Sequence, residues 1–216
     1  DINNDGRLDI LAGNAGQNFK WQPENKKPVY LYIDDFDNNE QSDPIIFYNY
    51  FGNYRPFNSK DNLGSQMPMI KKKFSKYKKF AKVKNIFDLT GFKESKVLEV
   101  KKITDLRSML FINNETDFSS YPLPQEAQWS IIQDFHWNSE TKELFYVGNS
   151  EKFVTELGSQ TANPGGIINF KNFQENKIVH KEFLPLPAKL NVRRLVEYKN
   201  KLYFITNNDY IYILSK

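Results

Sequence analysis

Two short runs of acidic and amide side chains constrain this chain more than any other feature. The first is Asp1-Ile2-Asn3-Asn4-Asp5-Gly6-Arg7-Leu8-Asp9, and the second is Asp35-Phe36-Asp37-Asn38-Asn39-Glu40-Gln41-Ser42-Asp43. Each places oxygen-bearing side chains at loop positions 1, 3, 5 and 9. Alternate residues of a tight loop point inward together, so such a segment can wrap a hard cation, and Ca²⁺ takes roughly six to eight oxygens in a flexible shell. The candidate ligands are Asp1, Asn3, Asp5, the Arg7 carbonyl and Asp9 in the first loop. In the second they are Asp35, Asp37, Asn39, the Gln41 carbonyl and Asp43. Position 6 calls for a positive φ, which Gly6 adopts freely and Glu40 resists.

An EF-hand is excluded, because its loop ends in a bidentate Glu at position 12 and lies between helices. Position 12 here is Ala12 or Ile46. Leu8–Gly13 and Asp43–Tyr48 read as short apolar strands, so the last Asp of each loop leads into a strand. A metal-free turn rich in Asp and Asn is the simpler reading of either run taken alone. Two copies with one spacing favour calcium.

The chain has 216 residues, 39% hydrophobic and 15% aromatic, enough for one substantial core. Eighteen Phe and twelve Tyr against ten Gly point to β-structure rather than a helical bundle. No run has the length of a transmembrane helix. No secretory signal opens the chain, but it begins inside a loop motif and so reads as a fragment of a longer protein. The absence of cysteine excludes disulfides and thiolate metal sites. Extracellular calcium, in the millimolar range, suits modest sites of this kind.

Along the chain, strands are expected at 10–14, 29–33 and 45–50, with a glycine turn at Gly13–Asn18 and a loop over 19–28. The loops start 34 residues apart, the spacing of a repeat built from a small sheet. A second repeat is visible further on. Leu110–Asn114 with Phe118 runs into Pro122-Leu123-Pro124, and Ile168–Asn172 with Val179 and Phe183 runs into Pro185-Leu186-Pro187. Each reads as a hairpin with the same extended exit, followed by strands at Trp129–Phe135 and Val192–Tyr198. Lys201–Thr206 and Tyr210–Leu214 form a last hairpin, turning at Asn207-Asn208-Asp209. Asp134–Lys142 reads as a third loop that has lost its metal ligands and remains as a turn.

Residues 53–100 break this pattern and are expected to be a mostly helical, lysine-rich insertion. Pro68 suits a first helical turn, and Ile70, Phe74, Tyr77 and Ala81 follow on one helical face. Eight lysines lie between Lys71 and Lys84 with no acid among them; removing them takes the formal charge from +4 to −4. A solvated face is the expected role. Nucleic-acid binding is disfavoured, since the run lacks the Arg and aromatic interleaving of base contacts.

The repeated Asp/Asn loop, each followed by an apolar strand, resembles the FG-GAP/VCBS repeats of integrin-α-like β-propellers. Gly13-Asn14-Ala15-Gly16, Pro28, Leu31-Tyr32, Asp35-Phe36-Asp37, Asp43-Pro44-Ile45, Tyr54–Phe57, Gln66-Met67-Pro68, Lys71–Phe74 and Tyr77 are similar to the C-terminal propeller of large bacterial surface proteins of that family. Those proteins often carry an ASPIC/UnbV-type domain, which is not seen here. The resemblance covers residues 1–90 most closely and fades beyond 150. It implies an all-β fold, a partial β-propeller of four-stranded blades with a helical insertion between blades. It also implies calcium in the blade loops, export to the cell surface or outer membrane, and no established catalytic role.

A hydrolase needs a nucleophile–base pair, paired carboxylates in a cleft or a transition metal. Only two histidines are present, His136 and His180, and neither has a Ser, Cys or metal-ligand partner nearby in sequence. The expectation is a non-catalytic module that presents loops to a protein or glycan at the cell surface. The alternatives are an accessory subunit docking on an outer-membrane complex and a propeller enzyme acting on glycans.

Overall fold

The computed structural model describes residues 1–92, 99–173, 177–207 and 209–215. The chain divides into two compact units, one of Asp1–Lys20 with Leu106–Lys216 and one of Trp21–Asp105. The second unit is thus an insertion, in sequence, between two strands that pair in the first. Both units are built on antiparallel sheets, which establishes the all-β class; among the described residues no sheet closes into a barrel.

In the first unit, β1 (Ile10–Ala12) pairs with β6 (Met109–Asn113), Leu11 opposite Leu110, and β6 pairs with β7 (Phe118–Pro122). The second sheet orders β8 (Ile132–Asn138), β9 (Glu143–Gly148), β10 (Gly166–Asn169) and β11 (Val179–Phe183) as a meander. A third is made of β12 (Val192–Tyr198), β13 (Lys201–Thr206) and β14 (Tyr212–Ser215). The middle sheet explains the arrangement. Leu144-Phe145-Tyr146-Val147 of β9 are all buried, and alternate side chains of a strand leave by opposite faces. Leu144 and Tyr146 join Leu110 and Ile112 of β6 in one core. Phe145 and Val147 join Val192, Leu202 and Phe204 of the third sheet in another. A strand apolar on both faces needs a layer on each side, and these two sheets supply the layers.

Close backbone approach fixes the junction between sheets. A Cβ on Gly13 would stand 2.6 Å from the Ile132 carbonyl oxygen, and one on Gly148 only 1.7 Å from that of Ile131. Asn14 O accepts from Ile132 N–H at 3.1 Å, and Ile131 O accepts from Asn149 N–H at 3.1 Å. The matching Gly-Asn dipeptides at the ends of β1 and β9 therefore grip the same two-residue entry to β8.

The second unit has one sheet, ordered β4 (Asn53–Pro56), β3 (Asp43–Tyr50), β2 (Val29–Asp34) and β5 (Glu99–Ile103). Four short helices lie between β4 and β5: α1 (Lys60–Gln66), α2 (Pro68–Lys73), α3 (Tyr77–Phe80) and α4 (Ile86–Thr90). Leu63, Met67, Ile70, Ile86 and Leu89 pack against Ile45 and Phe47 of β3 and Phe36 of the loop before it. The span 53–100 drawn from sequence thus starts and ends in strands of the sheet the helices cover, and residues 93–98 lie outside the described residues.

One long helical face does not form. Met67 is extended before Pro68, as the residue preceding a proline prefers, and separates α1 from α2. Phe74 (φ −113°, ψ 78°) and the extended Lys76 then separate α2 from α3. Ile70 and Phe74 are buried as expected, but Tyr77 and Ala81 face solvent. Lysines three and four apart repel one another, and no acid lies within the run, which disfavours a continuous helix. All eight lysines from Lys71 to Lys84 are exposed. Among the described residues no helix is long and apolar enough to cross a membrane.

Candidate metal centre

The two acidic loops share a backbone design. The Asp1 carboxylate accepts from Asp5 and Gly6 N–H, each at 3.0 Å, and Asp35 accepts from Asn39 N–H at 3.0 Å and Glu40 N–H at 2.9 Å. At position 5, Asp5 Oδ1 accepts from Arg7 N–H at 2.9 Å and Asn39 Oδ1 from Gln41 N–H at 2.8 Å. At position 9, Asp9 Oδ2 accepts from Ile2 N–H at 2.7 Å and Asp43 Oδ2 from Phe36 N–H at 3.2 Å. Ile2 and Phe36 are buried, so each loop is nailed to its own core through position 2.

Two residues of each loop have left-handed backbone: Asn4 (φ 58°) with Gly6 (φ 84°), and Asn38 (φ 59°) with Glu40 (φ 66°). Asn tolerates this region because its short side chain can hydrogen-bond locally, so the Asn shared at position 4 is a sequence signal for this turn beyond the acidic positions. Glu40 holds the conformation that Gly6 holds, against its own preference.

Loop chemistry differs between the copies. Asp35, Asp37 and Asp43 bring carboxylate oxygens within 4.8 Å of one another, the one such acidic triad among the described residues. Asp37 Oδ1 is buried there without a hydrogen-bond partner. Burial works against ionisation of Asp35, yet the N–H groups of Glu40, Asn39, Asn38 and Asp37 outweigh it and hold its carboxyl below the usual range. The outer oxygen of Asp43 accepts from Gln66 Nε2 at 2.7 Å, which ties the loop to the end of α1.

In the first loop the Arg7 guanidinium pairs with Asp5 and donates from Nε to Asn113 O at 2.8 Å. Asn3 Nδ2 also donates to Asp5, at 2.8 Å. The Asp5 carboxyl is held below its usual range, first by the Arg7 N–H and then by Asn3. Asp9 Oδ1 accepts from Asn113 N–H of β6 at 3.0 Å. Asp1, Asp5 and Asp9 do not gather as the second triad does.

The segment read as a third loop is strand and tight turn. Asp134–Asn138 belong to β8, and Ser139–Lys142 connect to β9, with Asn138 Oδ1 accepting from Glu140 N–H at 3.0 Å. Asp134 serves the next sheet instead, its Oδ2 accepting from Leu195 N–H at 2.9 Å. Neither histidine occupies a turn. His136 lies on β8 with Nε2 3.1 Å from the Glu197 carboxylate. His180 lies on β11, where burial pushes its pKa down. The Asn208 position of the last turn lies outside the described residues.

Comparison of the chain with protein-family models, curated proteins and solved structures finds no match.

Proposed function

We propose that this chain is a non-catalytic, calcium-stabilised β-propeller module of a cell-surface protein, presenting its loops to a protein or glycan. The observation that carries the calcium reading is the Asp35–Asp37–Asp43 triad with its unpartnered, buried Asp37 oxygen. Three carboxylates at that spacing repel one another, and a buried acceptor without a donor is costly; a divalent cation relieves both. Oxygen donors alone, from a flexible loop, suit calcium better than zinc or copper. Asp35, Asp37 and Asp43 would hold the ion, with the Asn39 side chain and the Gln41 carbonyl as further donors.

The first loop is the weaker of two proposed sites. For Asp1, Asn3, Asp5, the Arg7 carbonyl and Asp9 to close on an ion, Asp5 must give up its pairing with the Arg7 side chain. The propeller reading is supported by three sheets packed face to face in chain order and by the recurring Gly-Asn junction. A cell-surface location fits this reading, since millimolar calcium outside the cell would fill even modest sites.

Thermal unfolding with calcium and with chelator tests the coupling of metal to fold. A ligand bound only by the folded state stabilises it by about 2.7 kcal/mol at a hundredfold excess over Kd. The chelated protein is expected to melt several degrees lower; a melting curve indifferent to both additions would overturn the calcium reading.

A further inference from the structure

The lysine-bearing layer of the second unit is pinned from beneath and charged on its outer side. Ile70, Phe74 and Val83 are buried in the core that the helices share with the sheet, and Phe80 packs partly against it. Phe74 meets Phe80 edge to face at 5.6 Å between ring centres, a contact that joins α2 to α3. Turns of helical type carry on past α3, with Val83 N–H donating to Phe80 O at 3.0 Å. Val83 O then accepts from Arg55 Nη1 of β4 at 3.1 Å, which ties the end of the layer to the sheet. From Lys71 to Lys84 every exposed residue is lysine apart from Ser75, Tyr77 and Ala81. We infer that this layer is a docking surface for a linear acidic polysaccharide. The inference rests on the glycan arm of the proposed function and makes no use of the calcium loops.

The charge on the layer is largely uncompensated. Lys71 acts on the Asp61 carboxylate, Lys73 feels Asp88, and Lys84 gives Asp88 its backbone N–H at 3.0 Å. Among the described residues, the side chains of Lys72, Lys76, Lys78, Lys79 and Lys82 have no carboxylate partner. Lys79 N–H donates to Lys76 O and Lys82 N–H to Lys79 O, so these residues follow one another on successive turns. Side chains three and four apart on such turns are neighbours, and like charges there repel. Departures from local consistency of this kind gather at functional sites. An anionic chain laid along the layer relieves the repulsion.

The outer side also selects among anions. Stable binding to a membrane surface draws on inserted apolar side chains as well as charge. The one large apolar group exposed here, Tyr77, has its hydroxyl on Asp61 and the Lys60 ammonium over its ring at 4.9 Å. That engagement also removes the ring as a stacking platform for bases, and the run has no Arg for bidentate base contacts. Lysine ammonium groups are compact point charges on flexible stems. They suit carboxylates or sulfates repeated along a sugar chain, which are met by charge alone.

Retention of the full chain on immobilised heparin and polygalacturonate over a salt series, with chelator present throughout, tests the inference. The parent is expected to bind at least one of them with a log affinity that falls linearly with log salt, as release of counterions from a polyanion requires. Lys78→Gln, Lys79→Gln and Lys82→Gln together should weaken binding about tenfold or more at low salt and flatten that dependence. Melting should be unchanged or raised, since the substitutions remove repulsion. A matched triple in the same unit is Lys26→Gln, Lys27→Gln and Lys101→Gln, in which Lys27 and Lys101 already pair with Glu24 and Glu99. It removes the same charge and should bind as the parent does. Equal weakening by the two triples would assign retention to the overall charge of +4 and overturn the inference. So would a lack of retention on both polysaccharides, or tighter binding to duplex DNA or phosphatidylserine vesicles than to either. Chelator keeps calcium from bridging protein and polymer, so failure here is separable from failure of the calcium reading.

Discussion

Gln66 donates its side-chain amide to Asp43 at 2.7 Å, joining the last residue of α1 to the last carboxylate of the second acidic loop. Asp43 is buried, and its other oxygen already holds the Phe36 N–H. Beside the apolar packing of Phe36 against the helices, this hydrogen bond to a carboxylate couples them to the loop. Gln66→Ala should destabilise the protein by about 1.5–3 kcal/mol, the range for a bond of that kind. Chemical denaturation of the two proteins side by side checks it; equal midpoints would show the bond to be worth nothing.

Glu40 offers the opposite test, a stabilising change. Its φ of 66° costs an L side chain about 1–2 kcal/mol that glycine does not incur. Glu40→Gly should recover about 1 kcal/mol, after the extra unfolded-state freedom of glycine is subtracted. It should also leave calcium affinity equal or higher. A less stable variant would mean that the Glu40 side chain contributes contacts that outweigh the strain.

Gly148 should be the least replaceable glycine tested. A Cβ there would stand 1.7 Å from the Ile131 carbonyl oxygen, which the Asn149 N–H holds in place. Gly148→Ala is expected to cost about 4 kcal/mol or more, the exceptional range for one substitution. Gly158 (φ 74°) has open space around it, so Gly158→Asn should cost under about 1 kcal/mol. Similar melting temperatures for the two variants would contradict the account of the sheet junction.

Acid should loosen the second loop. The Asp35 carboxyl titrates below its ordinary 3.8 because backbone N–H groups favour the charged form despite burial. With the folded pKa depressed, its contribution is full above 3.8 and is lost as pH falls through the folded value. Asp35→Asn should flatten that part of the pH–stability curve in chelated protein. A mutant with the same acid slope as the parent would remove Asp35 from this role.

Much of the local structure was legible in the sequence because it depends on near neighbours. Asp at loop positions 1 and 9 caps N–H groups within seven residues, so residue type and spacing were enough to find both loops. The hairpins β6–β7 and β10–β11 could be read from their alternating apolar residues and shared proline exits. Pairing at long range could not be. Leu11 meets Leu110 across an intervening unit, and nothing local marks Trp21 or Asp105 as its ends. The helix expected beyond Pro68 breaks at Phe74, because periodicity counts apolar positions and ignores repulsion along a run of lysines. Gln66, 23 residues beyond Asp43, gave no sign of its role before the helix was placed against the loop.

Calcium binding at the triad is the claim on which most of this rests, and calorimetric titration of calcium into chelator-treated protein measures it directly. The parent is expected to show a saturable binding event that disappears in Asp37→Asn, which keeps the shape of the side chain but removes its charge. Asp5→Ala should leave that event in place and remove only the weaker one. Isotherms that superimpose for the parent and Asp37→Asn would contradict the assignment of Asp35, Asp37 and Asp43 as a calcium site.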